Sequence, residues 1–115
     1  MTSKRVSGKK VVEWAETALL DLRLIVEYIA AYSTKNAKDS LAKIKRECEA
    51  LGMFPEMGKI PAELDAVHIG NIRELVVAPW RIFYRCETSR IVIISVLDSR
   101  RDFEDIKISR MMRGV

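Results

Sequence analysis

Residues 71–98 read NIRELVVAPWRIFYRCETSRIVIISVLD, and this stretch decides the fold. Apolar and polar side chains alternate with a period of two over residues 72–77 and again over residues 80–86, and Ala78-Pro79 breaks the run at a turn. Residues 91–97 are almost continuously apolar, which is typical of a central strand covered on both faces. Short turns between consecutive strands predict an antiparallel β-meander.

A strand and a first helix are predicted before the meander. Residues 11–14 are a short β-prone run. Residues 18–32 contain no Gly or Pro, and Thr17 stands where a helix N-cap is expected. Apolar side chains at helical spacing predict one buried face, made of Leu22, Ile25, Ile29 and Tyr32. Three more widen that face and predict burial on more than one side: Leu20, Leu24 and Tyr28.

A second helix is predicted after the turn at residues 33–35. Asn36 is expected to cap it, with Asp39 three residues on, and Gly52 is expected to end it. Its apolar stripe consists of Leu41, Ile44, Cys48 and Leu51. The short connection between the two helices predicts an antiparallel hairpin. The irregular residues 53–70 that follow are long for a loop, so we expect them to be functional or pinned by side chains such as Phe54 and Ile60.

The order of these elements predicts an α+β fold, in which an N-terminal strand precedes an antiparallel helix hairpin packed on one face of an antiparallel β-meander. Residues 101–112 are charged and predict a short C-terminal helix. The chain has 115 residues, of which 49% are hydrophobic, so we expect one domain over residues 11–115. Residues 1–10 hold four basic and no acidic side chains and are expected to form a flexible tail.

Charge and cysteine content exclude several classes of protein. Lys and Arg number 20 against 16 Asp and Glu, so the net charge of +4 comes from the basic tail and the remainder is neutral. Cys48 and Cys86 show no metal-binding or redox spacing, which favours small reduced core residues. No apolar run is long enough to span a bilayer. We therefore expect a cytoplasmic protein with no membrane segment, no metal and no cofactor.

Three other side chains carry weak chemical signals. His68 has no second His or Cys near it, so neither a metal site nor a general base is expected there. Trp80 and Tyr84 share one face of a predicted strand and could stack on bases, but such a pair more often belongs to the core.

Arginines at the strand ends give the strongest candidate site. In a meander the fourth strand ends beside the start of the third, so Asp98, Arg100 and Arg101 should lie near Arg81. Arg73 would join them if its side chain points to the same face. Several guanidinium groups on one rigid surface suit phosphate or carboxylate recognition. The alternative is a set of solvated arginines paired with Glu74, Asp98 and Asp102. We expect Arg81→Ala to weaken function without harming the fold.

Several short segments in this order resemble the RelE/ParE superfamily of toxins. They are RELVV at residues 73–77, PWRIFYR at 79–85, and the apolar residues 93–97 followed by DSRRD at 98–102. The resemblance covers roughly residues 11–110. It implies a type II toxin–antitoxin pair, with a cognate antitoxin that silences the toxin. The oligomeric state is left open between a dimer and a hetero-oligomer with the antitoxin.

The superfamily has two branches with different targets. The RelE branch cuts mRNA on the ribosome, and the ParE branch poisons DNA gyrase. The resemblance places Arg73, Arg81 and Arg101 on three cationic positions of the ribonucleases, but Leu75 stands where a lysine is expected and the terminal segment has no tyrosine. Because arginine is a poor proton shuttle at neutral pH, a phosphate clamp would lack its acid–base pair.

The missing acid–base pair favours a ParE-like binding module that inhibits DNA gyrase. An mRNA endonuclease that acts on the ribosome, with Arg73, Arg81 and Arg101 as its catalytic residues, is the alternative. A toxin remnant or a DNA-binding accessory protein is the third hypothesis.

Overall fold

The computed structural model describes residues 9–62 and 71–98. Its elements, in chain order, are β1 (Val11–Trp14), α1 (Glu16–Ala30), α2 (Thr34–Glu49), a 3-10 turn (Ala50–Gly52), β2 (Ile72–Val77), β3 (Trp80–Cys86) and β4 (Arg90–Asp98). The α+β fold predicted from the sequence is confirmed. The C-terminal helix predicted for residues 101–112, His68, and most of the basic tail lie outside the described residues.

One four-stranded sheet organises the molecule, with the strand order β1-β4-β3-β2. β2, β3 and β4 form the predicted antiparallel meander, and the Ala78-Pro79 peptide bond between β2 and β3 is cis. β1 joins the sheet beside β4 in the parallel direction, so the sheet is mixed. β4 therefore lies between two strands, and its residues 91–97 are all buried, as the apolar run predicts.

The two helices pack against each other, and α1 packs on β4. Leu22, Ile44 and Cys48 enter one core cluster with Trp80 and Tyr84 of the sheet, so these two aromatic residues are core residues as expected. Cys48 and Cys86 are both free. No helix in residues 9–62 or 71–98 is long and apolar enough to cross a membrane.

Both predicted N-caps are wrong by a few residues. α1 begins after Ala15, and the Thr17 hydroxyl donates instead to the carbonyl of Ile94 at 2.8 Å. α2 begins after Ser33, whose hydroxyl accepts from the amide of Asn36 at 3.1 Å. Thr17 is not a cap because its hydroxyl bonds to the sheet, a contact that the sequence does not indicate. The cap of α2 is Ser33, three residues before the predicted Asn36.

The predicted end of the second helix is also displaced. α2 ends at Glu49, and Gly52 closes the 3-10 turn that follows. The carbonyl of Gly52 accepts from the amide of Lys10 at 2.8 Å, and a Cβ on Gly52 would lie 2.5 Å from the Lys10 carbonyl oxygen. Gly52 therefore allows a close backbone contact with the start of β1 and is not a helix cap.

α1 is less buried than its apolar side chains predict. Leu22 is buried, but Leu20, Leu24 and Tyr28 are 48%, 54% and 69% exposed, and Tyr32 is 79% exposed. The prediction of burial on more than one side is wrong, because within residues 9–62 and 71–98 α1 packs against α2 and β4 on one side and leaves these side chains exposed. Tyr28 and Tyr32 pack on each other edge to face with their ring centroids 5.5 Å apart.

Polar contacts fix α1 and β1 to β4. The Asp21 carboxylate of α1 accepts from the amide of Val96 at 3.0 Å and from the hydroxyl of Ser95 at 3.2 Å. At the start of β4, Arg90 donates to Glu13 of β1 and to Glu87, each at 2.6 Å. β4 therefore serves as the attachment point for both N-terminal elements.

Candidate functional site

The two sides of the sheet carry different arginines. Residues that pair across β2 and β3 share a face, and Arg73 pairs with Tyr84 while Arg81 pairs with Val76. Because side chains alternate along a strand, Arg73 and Val76, three positions apart, point to opposite faces. Arg73 shares the face of the core cluster that holds Tyr84, and Arg81 lies on the other face. The condition for Arg73 to join Arg81, a side chain on the same face, is therefore not met.

Arg81 is paired with a carboxylate in a buried setting. Its Nε lies 2.5 Å from one oxygen of Glu74 and its second terminal nitrogen lies 3.1 Å from the other, so the contact is bidentate. The side chains are only 16% and 5% exposed. The guanidinium carbon also lies 5.0 Å from the centre of the Phe83 ring. The pairing predicted as the alternative is present for Glu74, but it is buried and not solvated.

The end of β4 lies where the meander predicts. Asp98 pairs with Trp80, and Leu97 pairs with Arg81, so the carboxyl end of β4 adjoins the start of β3. The backbone positions of Asp98 and Arg81 are therefore close together, as expected. Arg100 and Arg101, the other two members of the predicted site, lie outside the described residues.

The loop after the helices is held by the sheet through one tyrosine. The Tyr84 hydroxyl donates to the carbonyl of Pro55 at 2.8 Å and accepts from the amide of Gly58 at 2.9 Å. Phe54 and Ile60, the side chains expected to pin this loop, are 61% and 47% exposed. These two side chains therefore do not pin the loop, which is held by hydrogen bonds from its backbone to a side chain of β3.

The same loop continues as an edge partner of β2. Lys59 exchanges two backbone hydrogen bonds with Glu74, at 3.0 and 2.7 Å. A Cβ on Gly58 would lie 2.6 Å from both the Glu74 carbonyl oxygen and the Tyr84 hydroxyl. Only glycine fits between these two atoms without a shift of the chain.

A pocket of about 750 Å³ opens where this loop meets the sheet. Its lining combines apolar and charged side chains, namely Lys10, Phe54, Pro55, Glu56, Met57, Asn71, Arg73 and Cys86. Arg73 donates to the carbonyl of Gly58 at 2.7 Å, and the Lys10 ammonium donates to the carbonyl of Glu87 at 2.8 Å. Each cation is thus positioned by a neutral acceptor. Lys10 is held although the sequence assigns it to the flexible tail.

Two ionisable groups in and below the pocket have pKa values above their ordinary range. Burial is the largest influence on the pKa of Tyr84 and on the pKa of Cys86, and it raises both. Both groups therefore stay protonated near pH 7. Within residues 9–62 and 71–98 there is no group of three or more His, Cys, Asp or Glu side chains able to hold a metal ion.

Comparison with known proteins gives the family. The profile of the ParE toxin of the type II toxin–antitoxin system parDE matches residues 12–103. The chain belongs to the ParE toxin family. A solved structure described as a chromosomal ParDE toxin–antitoxin system from P. aeruginosa superposes on this ParE-family chain with a TM-score of 0.66. The two sequences are 18% identical, and the match covers 80% of this chain and 98% of the other. No curated protein sequence matches the chain.

Three residues of this ParE-family chain were missed as parts of a site. The sequence places Lys10 in the predicted tail, gives no role to Gly58, and favours a core position for Tyr84 over base stacking. The one available signal was the alternation of β3, which places Tyr84 and Cys86 on the same face. Nothing in the irregular residues 53–70 indicates which strand the loop would contact.

Proposed function

We propose that this ParE-family chain is a toxin that inhibits DNA gyrase and is neutralised by a cognate antitoxin in the cytoplasm. Membership of the family supports the toxin assignment, and the similar structure from a ParDE system supports an antitoxin partner. The choice of target rests on one observation, the buried ion pair between Arg81 and Glu74. On this reading the protein is a binding module.

The ion pair bears on the target through electrostatics. Cleavage of RNA through the ribose hydroxyl needs uncompensated cations around the transition-state phosphate and a proton relay beside them. Both terminal oxygens of Glu74 already engage Arg81, so bringing a phosphate to Arg81 would place it against a buried carboxylate. Arg73 cannot compensate because it lies on the other face. These features favour inhibition by binding over phosphodiester chemistry.

The target-binding residues proposed are Arg81, Asp98, Arg100 and Arg101, near the carboxyl end of β4. Arg73 leaves this set because of its orientation. Arg81 contributes mainly by fixing the local surface through Glu74, and residues 98–101 supply the contacts. A double variant, Arg100→Ala with Arg101→Ala, is therefore the informative change, and Lys45→Ala on the exposed side of α2 is its matched control.

The test compares two reactions with the same purified protein. One assay follows supercoiling of relaxed plasmid by gyrase and the amount of linear DNA released on denaturing the enzyme. The other follows cleavage of mRNA bound to ribosomes by primer extension. We expect gyrase inhibition, weakened in the double variant and retained in Lys45→Ala, with no mRNA cleavage. Cleavage on the ribosome without any effect on gyrase would establish the endonuclease alternative.

The antitoxin half of the proposal has its own test. Expression of the chain alone should arrest growth, and co-expression of the adjacent reading frame should restore it and yield a complex on purification. Growth arrest that the neighbouring product cannot relieve would contradict the proposed pairing. An absence of growth arrest at verified abundance would favour the toxin remnant.

A further inference from the structure

The pocket beside the loop of residues 54–58 contains two cations that no described carboxylate neutralises. Arg73 donates one terminal N–H to the Gly58 carbonyl, and Lys10 donates to the Glu87 carbonyl, and neither forms an ion pair within residues 9–62 and 71–98. Within the part of the chain that the structure describes, the remaining N–H groups of Arg73 and Lys10 have no other hydrogen-bond partner and can meet an anion. Neutral backbone acceptors hold both side chains in place without cancelling their charge.

The charges act on the inside of the pocket. Burial raises the pKa of Cys86, while Arg73 and Lys10 both oppose that rise. Arg73 likewise opposes the rise in the pKa of Tyr84. Both cations therefore favour negative charge at this face of the sheet, which is the electrostatic requirement for an anion site.

Apolar groups form a second part of the pocket lining, here called the apolar wall. Phe54 is 61% exposed and Met57 is 45% exposed, although both are large hydrophobic side chains of the pocket lining. Pro55 lies between them, with its carbonyl fixed by Tyr84. This wall is rigid because the loop is bonded to β3 and β2, so a ligand would find it already formed.

Glu56 limits the kind of anion that fits. It lines the same pocket, so two cations face one carboxylate and the lining carries a net charge of only about +1. A chain of phosphates would meet repulsion from Glu56 after the first contact. A single carboxylate beside an apolar side chain matches both the apolar wall and the charge.

We propose that this pocket binds a short acidic peptide segment, with one Asp or Glu carboxylate between Arg73 and Lys10 and an adjacent apolar side chain on Phe54 and Met57. The antitoxin is the source of that segment, a statement that rests on the proposed function. The recognition chemistry itself does not rest on it. Arginine reads the planar carboxylate through paired N–H groups, and Lys10 adds a point charge.

The direct test uses a capped dipeptide in place of the antitoxin. N-acetyl-Asp-Phe-amide is titrated into the full, ¹⁵N-labelled chain and followed by amide chemical shifts. We expect shifts at Gly58, Asn71, Arg73 and Cys86. Binding should be about five- to tenfold tighter than for N-acetyl-Asn-Phe-amide, which lacks the charge, or N-acetyl-Asp-Gly-amide, which lacks the apolar group.

Variants separate the site from general charge attraction. Arg73→Gln and Lys10→Gln should each weaken dipeptide binding about fivefold or more, while Lys45→Gln on α2 should leave it unchanged. Unchanged amide spectra away from the pocket verify that each variant is folded. Equal binding of all three dipeptides, no binding, or equal weakening by Lys45→Gln would overturn the proposal.

Two further arms identify the source of the ligand. A short single-stranded RNA that binds this pocket more tightly than the dipeptide would overturn the peptide assignment and favour nucleic acid. The product of the adjacent reading frame should displace the dipeptide, and failure to displace it would remove the antitoxin as the source. These measurements involve neither gyrase nor ribosomes, so their outcome is independent of the target assays.

Discussion

The amide nitrogen of Gly58 lies 2.9 Å from the hydroxyl oxygen of Tyr84, 26 residues away in the chain. The hydroxyl is an acceptor in this contact and a donor to the Pro55 carbonyl. One side chain of the sheet thus satisfies two backbone groups of a loop that has no regular structure of its own. The shape of the pocket depends on this contact.

Gly58→Ala should destabilise the protein by about 2 kcal/mol, because the new Cβ meets the Glu74 carbonyl and the Tyr84 hydroxyl. Tyr84→Phe should cost about 1 to 2 kcal/mol through the unsatisfied amide of Gly58. The double variant should lose less stability than the sum of the losses in the two single variants, because removing the Tyr84 hydroxyl relieves one of the two contacts of the new Cβ. Urea denaturation of all four proteins measures this coupling, and strict additivity would contradict it.

Breaking the Arg81–Glu74 pair should be costly. Arg81→Ala leaves Glu74 as a buried carboxylate without its bidentate partner, and we expect a loss of about 3 to 5 kcal/mol. This corrects the expectation from the sequence that the substitution would leave the fold intact. Arg90→Ala is the matched control, since that arginine also pairs with carboxylates but is 45% exposed. A similar fall in the urea midpoint for both variants would show that burial of the pair is unimportant.

The two cysteines should differ in reactivity. Burial raises the pKa of Cys48 from 9.0 to about 12, whereas Cys86 is partly exposed in the pocket. At pH 8, iodoacetamide should therefore modify Cys86 first and leave Cys48 intact until the chain unfolds. Mass spectrometry of the native and urea-denatured protein measures this order. Early modification of Cys48 in the folded protein would contradict the buried environment.

The pKa of Cys48 also sets a pH dependence of stability. A thiol whose pKa is raised on folding stabilises the folded state while it is neutral, so its contribution is complete below pH 9 and declines as the pH rises toward 12. We expect the free energy of unfolding to fall between pH 8 and pH 10.5 by more in the wild type than in Cys48→Ala. An equal fall in both proteins would assign the pH dependence to other groups.

Ile44 provides a test of the core. It lies on the buried side of α2 and is fully buried in the core cluster. Ile44→Ala should therefore cost about 2 to 4 kcal/mol, and Ile44→Asp should prevent folding by burying an unpaired charge. Lys45→Ala, one position along the same helix but exposed, should leave the thermal midpoint nearly unchanged. Circular dichroism melts of the three variants measure the contrast, and a folded Ile44→Asp would contradict the assigned core.

The sequence predicts the strands well because their signals are local. The apolar run of β4 reports burial directly, and the structure confirms it. The alternation of β3 locates the strand but not its burial, because residues 82–85 are all buried. The burial of α1 was overpredicted because Leu24 and Tyr28 have helical spacing whether or not another element covers them. Apolar character identifies a surface that can be buried, while the arrangement of neighbouring elements decides which surface is buried.

The candidate site was harder to predict because it depends on which face of the sheet each side chain occupies. A shift of one residue in register reverses the face of every side chain in a strand. Such a shift would place Arg73 on the face of Arg81 and move Glu74 to the opposite face. The charge pattern alone cannot show whether Arg81 shares its face of the sheet with Arg73 or with Glu74. The contact between Gly58 and Tyr84 joins a loop without periodicity to a strand, and no local rule anticipates it.

The parallel pairing of β1 with β4 constrains when this molecule can first exist. Glu13 meets Arg90 across 77 positions of the chain, and α1 rests on the same late strand. While a ribosome is still making residues 90–98, β1 lacks the strand with which it pairs and α1 lacks the strand on which it packs. A nascent chain interrupted before that point would carry both helices without β4, a central strand of the sheet, so we expect premature termination to yield an unfolded fragment.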